Sequence, residues 1–261
     1  MQTSQGGDMR NVLWGAAALV CLSVYPISAT AMTRAEARAA AERVAMLHDK
    51  DLAGSLSEFK QDFPEEYEKT IDLMAAAYLK GNEHDAIVAG REYLVRATYA
   101  QIGNIANAPD EALLRLVQAQ QTLFATLARA QPELCLQAAR GPIQPDTVHD
   151  PDVAKVLGGV GIEQLHAARA GIDHPVVRGP ATQDDFAALR QAFYAAGGTL
   201  QDLQTAASLG QGGNADPDTA CRENLLMAQA TIALPPEARD RVIAMAYLKF
   251  KELTEKRTLH R

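Results

Sequence analysis

The sequence lacks several features that would point directly to a function. It has no dense run of basic residues, and its 32 acidic side chains outnumber 25 basic ones in 261 residues. The resulting net charge of −7 argues against a protein that binds nucleic acid or an anionic membrane surface. It also lacks sustained apolar–polar alternation, which argues against a β-sheet. With 48% apolar residues, the chain can still bury a normal core in one domain or two small ones.

Catalytic signatures are also missing. The chain contains no GxSxG, no HExxH, no Walker loop and no GxGxxG motif after a strand. The glycine-rich run from Gly158 to Gly161 falls inside an apparent helix and is not followed by a Lys-Ser/Thr pair. We interpret this run as a close helix crossing and assign no catalytic residue and no cofactor.

Two local patterns resemble metal-ligand spacings. Glu163 and His166 have the Glu-x-x-His spacing of di-metal helical bundles, but such sites need a second motif and two further carboxylates. His149, Asp150 and Asp152 cluster at a helix start, where helix capping already accounts for both aspartates. We therefore expect a solvated helix pair and a capped helix start, and the sequence predicts no metal site.

Residues 1–31 are predicted to form a secretory signal peptide, with Met9 as an alternative start. Arg10 supplies the positive charge, and an apolar run of about 14 residues follows, which is short for a membrane span. The small residues at 29–31 predict cleavage after Ala31. The mature protein is therefore expected in the periplasm or as a secreted protein.

Two alternatives to cleavage at Ala31 remain open. An uncleaved signal would anchor the protein in the membrane. A lipoprotein would be modified at Cys21, but Val20 stands where a small residue is needed.

The cysteine count follows from the signal peptide. Cys21 leaves with it, and Cys135 and Cys221 remain as an even pair in an oxidising compartment. We predict a Cys135–Cys221 disulfide, which would remove about 4–5 kcal/mol of unfolded-chain entropy. The alternative is two buried thiols. Neither cysteine lies in a CxxC motif, which argues against a redox or zinc role.

Good helix formers dominate the mature chain, and proline followed by an acidic residue recurs where helices would begin. These pairs are Pro64–Glu65, Pro109–Asp110, Pro132–Glu133, Pro151–Asp152, Pro217–Asp218 and Pro236–Glu237. The pattern predicts an all-α fold, an irregular helical bundle of about seven to nine helices after the signal peptide. The stretch Ser55–Gln61 is interpreted as a short turn.

Composition divides the mature chain into three parts. Residues 32–140 form an N-terminal helical half, and residues 182–261 form a C-terminal helical half. Residues 141–181 are rich in glycine and proline and form a connecting segment with one helix. The predicted disulfide would tie the two halves together across this segment.

These observations favour an exported, non-enzymatic helical protein of the bacterial cell envelope. It would bind a protein, peptide or lipid partner through an apolar or tyrosine-lined helical surface. One alternative is a helical cell-envelope hydrolase, for which Glu65, Glu66, Glu92 and His166 are the candidate groups. Another is a signal-anchored envelope scaffold. A cleft that collects two or more of these four groups would favour the hydrolase.

Export predicts a defined covalent product. We expect intact-mass measurement of the protein from an exporting host to give a chain that begins at Met32. Under denaturing, non-reducing conditions its mass should be two hydrogens below that of the dithiol. A full-length chain with two free thiols would contradict both the cleavage and the disulfide.

Overall fold

The computed structural model describes residues 32–49, 55–140, 143–144, 147–209 and 215–258. These residues form eleven helices and no strand, which confirms the predicted all-α fold. The predicted signal peptide, residues 1–31, lies outside the described residues. Within the described part of the chain, no helix is both long enough and apolar enough to cross a bilayer.

The helices follow one another with short connections. They are α1 (Arg34–Asp49), α2 (Ser55–Asp62), α3 (Pro64–Lys80), α4 (Glu83–Ile105), α5 (Asp110–Ala130), α6 (Glu133–Arg140), α7 (Pro151–Asp173), α8 (Gln183–Ala195), α9 (Leu200–Leu209), α10 (Pro217–Ile232) and α11 (Pro236–Thr258).

Local capping explains why these helices begin where they do. Asp150 accepts hydrogen bonds from the amides of Asp152 and Val153 at the start of α7, at 2.9 and 3.1 Å. Thr182 and Asp185 form a reciprocal capping box at the start of α8. The six predicted proline–acid marks all lie at helix starts, either at the first helical residue or one residue before it.

The predicted turn at Ser55–Gln61 is wrong, because these residues belong to helix α2. Leu56 and Phe59 are buried, and the rings of Phe59 and Phe63 lie 5.7 Å apart. Burial of this apolar face stabilises a helix that is too short to be stable alone. The eleven helices of the described residues also exceed the predicted seven to nine.

The buried side chains form three apolar clusters. The first contains residues from α1 to α5, from α7 and from α10 and α11, among them Phe59, Ile71, Leu113, Leu116 and Leu165. The second joins α5, α6, α7 and α10 around Leu127, Leu134 and Val153. The third is smaller and joins α8, α9 and α10 around Phe193, Leu226 and Ala230. Helix α7 lies in the predicted connecting segment, yet it contributes to the first two clusters.

The predicted disulfide lies in the second cluster. Cys135 of α6 and Cys221 of α10 are bonded across 86 residues, with their Cα atoms 5.0 Å apart. Both residues are buried. The bond ties the short helix α6 to α10, and a loop of this length corresponds to about 4–5 kcal/mol of unfolded-chain entropy.

Two glycines of α7 differ in their surroundings. A Cβ atom built on Gly171 would lie 2.0 Å from the Asn104 carbonyl oxygen, so here α7 approaches the end of α4 closely. A Cβ on Gly159 would meet nothing within 4 Å. The close helix crossing expected for the run Gly158–Gly161 is therefore not found at Gly159.

These surroundings predict opposite effects for two matched substitutions. Gly171→Ala should lower the free energy of unfolding by about 2–3 kcal/mol, because the backbone of α4 must move. Gly159→Ala should raise it by about 0.5–1 kcal/mol, because alanine favours the helix and fills open space. Urea unfolding of both variants measures the difference. Equal changes in the two variants would contradict the close approach at Gly171.

Candidate metal centre

Helix α2 presents two carboxylates on one face. Glu58 and Asp62 are four residues apart, which places them one above the other on a helix surface. The neighbouring face carries Leu56 and Phe59 into the first apolar cluster. The burial of these apolar residues orients α2 and directs both carboxylates toward α7.

Helix α7 presents an imidazole to the same place. His166 is flanked by the buried residues Leu165 and Ala167, which anchor this turn of α7 in the first cluster. The His166 side chain itself is 38% exposed. Its ring therefore lies at the rim of the core, between the two helices.

The three side chains meet at short distances. His166 Nε2 lies 3.0 Å from Glu58 Oε2 and 4.0 Å from Asp62 Oδ2. One ligand-capable atom from each residue lies within 4.8 Å of the other two. Of the residues that the structure describes, these are the ones that form such a group of three.

Asp62 is the most buried member of the group. Its side chain is 12% exposed, and its Oδ2 atom is buried without a hydrogen-bond partner. Burial is the main reason why the pKa of Asp62 is raised above its ordinary value; the charge of His166 opposes this, and that of Glu58 adds to it. An unsatisfied buried carboxylate oxygen is costly unless a cation or a proton occupies it.

Other charged groups surround the site without filling it. Arg169, one turn after His166, makes a two-fold ion pair with Asp173, with both N···O distances 2.8 Å. Arg115 of α5 lies 3.5 Å from the Oε2 atom of Glu163, a buried oxygen that has no hydrogen-bond partner. Arg169, the arginine that acts on Asp62, thus already has a carboxylate partner of its own.

This arrangement can do one of two things chemically. A protonated His166 can form an ion pair with Glu58, which leaves Asp62 Oδ2 unsatisfied. Alternatively, one divalent ion can bind the Nε2 lone pair and both carboxylates. Atoms bound to one ion at about 2.1 Å lie at most about 4.2 Å apart. The two distances from His166 Nε2, 3.0 Å to Glu58 and 4.0 Å to Asp62, satisfy this limit.

The structure separates the four groups considered for a hydrolase. Glu65 and Glu92 are exposed. Glu66 accepts hydrogen bonds from Lys69 at 2.7 Å and from the Tyr93 hydroxyl at 2.5 Å, and these bonds lower its pKa. His166 alone lies in the candidate metal centre. An open depression of about 390 Å³ lies on α8 and is lined by Gln183, Asp184, Phe186, Ala187 and Arg190.

Capping and ion pairing account for the two metal-like spacings of the sequence. Asp150 caps α7, as expected, and His149 is exposed. Glu163 faces Arg115 rather than sharing a ligand site with His166. The Glu-x-x-His spacing therefore contains the histidine of the candidate centre but not its carboxylates.

The tyrosines expected to line a surface lie mostly in or near the core. Tyr67 and Tyr247 are buried, and the Tyr247 hydroxyl accepts a hydrogen bond from Gln120 at 2.9 Å. Tyr78, Tyr93 and Tyr99 are half-buried. Tyr194 is exposed. The described tyrosines thus serve packing more than they serve a common surface.

Sequence reasoning misses Glu58 and Asp62 as partners of His166. The histidine is 108 residues from Glu58, and no local spacing encodes a contact over that distance. The available signal is the four-residue spacing of the two carboxylates. This spacing places them on the same face only if the segment is a helix. A helical interpretation of Ser55–Asp62, instead of a turn, would place both on one face.

Comparison of the chain with protein-family models, with curated proteins and with solved structures finds no significant match. The geometry of the site is therefore the basis on which a function can be assigned to this chain.

Proposed function

We propose that this chain is an exported helical protein that binds one divalent transition-metal ion through Glu58, Asp62 and His166. The buried, unpartnered Oδ2 atom of Asp62 is the observation that carries the proposal. This oxygen lies 4.0 Å from an imidazole nitrogen that also faces Glu58. A cation among the three groups satisfies the oxygen and makes the burial of Asp62 favourable.

The donor set indicates which ions suit the site. One imidazole nitrogen and two carboxylates match Zn²⁺, Co²⁺ or Mn²⁺, whereas Ca²⁺ and Mg²⁺ favour ligand sets made entirely of oxygen. The order of affinity for such ligands places Zn²⁺ above Mn²⁺. Because Glu58 and His166 are about one third exposed, coordination positions remain open to water.

The open positions favour reversible binding over a structural role. Structural zinc sites have four protein ligands, and this site offers three. The depression on α8 is lined by none of the three ligands. The non-enzymatic assignment made from the sequence stays part of the proposal. In the cell envelope, the protein partner inferred from the sequence would be one that delivers or receives the ion.

Metal-dependent hydrolysis is the second candidate function. The same open positions would let a bound ion activate water. This candidate continues the hydrolase alternative, with His166 as a ligand rather than as a general base. The signal-anchored scaffold also stays a proposal, and it depends on whether the bond after Ala31 is cut.

Titration calorimetry on chelator-treated protein tests metal binding. We expect one Zn²⁺ per chain, with His166→Ala and Asp62→Asn each weakening the affinity by about 100-fold or more. The affinity should also fall as the pH is lowered, because protons compete with the ion for the ligand atoms. Asp62→Asn should fold well, since it removes a buried unsatisfied charge.

Two matched variants control for non-specific effects. Glu65→Gln and His149→Ala change an exposed carboxylate and an exposed imidazole outside the site, and both should bind Zn²⁺ like the wild type. Equal binding by the site variants and the controls would rule out the proposal. If the zinc-loaded wild type hydrolyses a phosphodiester or an ester and His166→Ala does not, the function is metal-dependent catalysis rather than metal binding alone.

A further inference from the structure

Helix α10 carries a glutamate where an apolar residue is expected. Glu223 is 1% exposed, and both of its carboxylate oxygens are buried without a hydrogen-bond partner. Buried glutamates are rare unless they are paired, because ionisation in the core is costly. Glu223 is distant in sequence from the candidate metal centre. It lies on α10, whereas the three residues of that centre lie on α2 and α7.

The position of Glu223 on α10 places it beside the third apolar cluster. Leu226 and Ala230 follow it at spacings of three and four residues, so the three share one face of the helix. These two residues pack with Phe193 of α8 and with Leu203 of α9. The carboxyl group therefore continues an apolar stripe at the contact of α10 with its neighbours.

The charged groups around Glu223 do not stabilise its anion. Asp202 of α9 and Asp216, the N-cap residue of α10, both repel it. Arg222 attracts it but is committed to Asp202 Oδ2, at 2.5 Å. Thr205 of α9 favours the anion only weakly, because its hydroxyl donates to the Gln201 carbonyl at 3.1 Å. Two acids and an engaged arginine thus surround a buried acid.

The other helices that contact α10 hold their charges elsewhere. Arg241 of α11 pairs with Asp185 of α8 through two hydrogen bonds of 2.8 and 2.9 Å. Arg129 of α5 and Glu133 of α6 are exposed, and so are Asp184 and Arg190 of α8. The balance of charge at Glu223 is therefore set mainly by α9 and α10.

We infer that Glu223 is a proton-dependent lock between α9 and α10. The neutral carboxylic acid keeps the two helices packed, and ionisation of Glu223 releases α9. Helix α9 is suited to local release because it has ten residues and packs mainly on α10 and on the short helix α6. The capping pair of Thr199 and Asp202 holds its first turn, and Asp202 also pairs with Arg222 of α10 at the surface.

The direction of the pH effect follows from the environment of Glu223. Burial, the largest cause, and repulsion by Asp202 raise the pKa of Glu223 to about 7, against 4.5 for an ordinary glutamate. Below pH 4.5 the acid is neutral in the closed and the open state, so closure carries no penalty. As the pH rises from 4.5 to 7, closure becomes progressively weaker, and it remains weak at higher pH.

Hydrogen exchange of the oxidised, full mature chain tests the lock. After correction for the intrinsic pH dependence of exchange, protection of the α9 amides should fall by up to about 150-fold between pH 4.5 and pH 9. In Glu223→Gln, which keeps the shape without the charge, protection should stay high and independent of pH. Glu237→Gln, which changes an exposed glutamate, should behave like the wild type.

A direct titration of the carboxyl group keeps the inference testable if Glu223→Gln does not fold. The infrared band of a protonated carboxylic acid in the wild type should disappear with a midpoint near pH 7. A midpoint near 4.5, or α9 protection that is the same at pH 5 and pH 8, would overturn the lock. Neither readout involves metal, so failure here leaves the metal-binding proposal untouched.

Discussion

The packing of α5 against α7 is the contact on which the rest of the described structure depends. Leu113 and Leu116 of α5 join Leu165 of α7 in the first apolar cluster, and Leu127 joins Val153 in the second. The two helices, together with α10, therefore connect the first two clusters. Because α7 also contacts α2 and α4, its position determines where His166 meets the carboxylates of α2.

Much of the helix pattern could be predicted because its signals are local. A cap such as Asp150 acts within three residues, and the Cys135–Cys221 bond follows from a count and a compartment. Helix α2 could not be predicted in the same way, since tertiary burial of Phe59 stabilises it. The candidate metal centre could not be predicted for a related reason. Glu58 and His166 are brought together by the packing of α2 on α7, which no spacing in the sequence encodes.

Besides Glu163, which faces Arg115, two carboxylates with buried, unsatisfied oxygens mark places where this fold departs from the rules of a stable core. Asp62 lies at the contact of the short helix α2 with α7, and Glu223 lies at the contact of α10 with the short helix α9. A core selected for stability alone would place an apolar or a paired group at both positions. A cation would satisfy the first carboxylate and a proton the second, so each departure is accounted for by a species that binds reversibly.

The proposed metal centre requires that Glu58, Asp62 and His166 hold one ion together. A crystal structure of the zinc-soaked protein, measured on both sides of the zinc absorption edge, tests this claim most directly. We expect one anomalous peak about 2.1 Å from His166 Nε2 and within bonding distance of both carboxylates. A peak elsewhere, or none at this place while Asp62 Oδ2 is occupied by water, would contradict it.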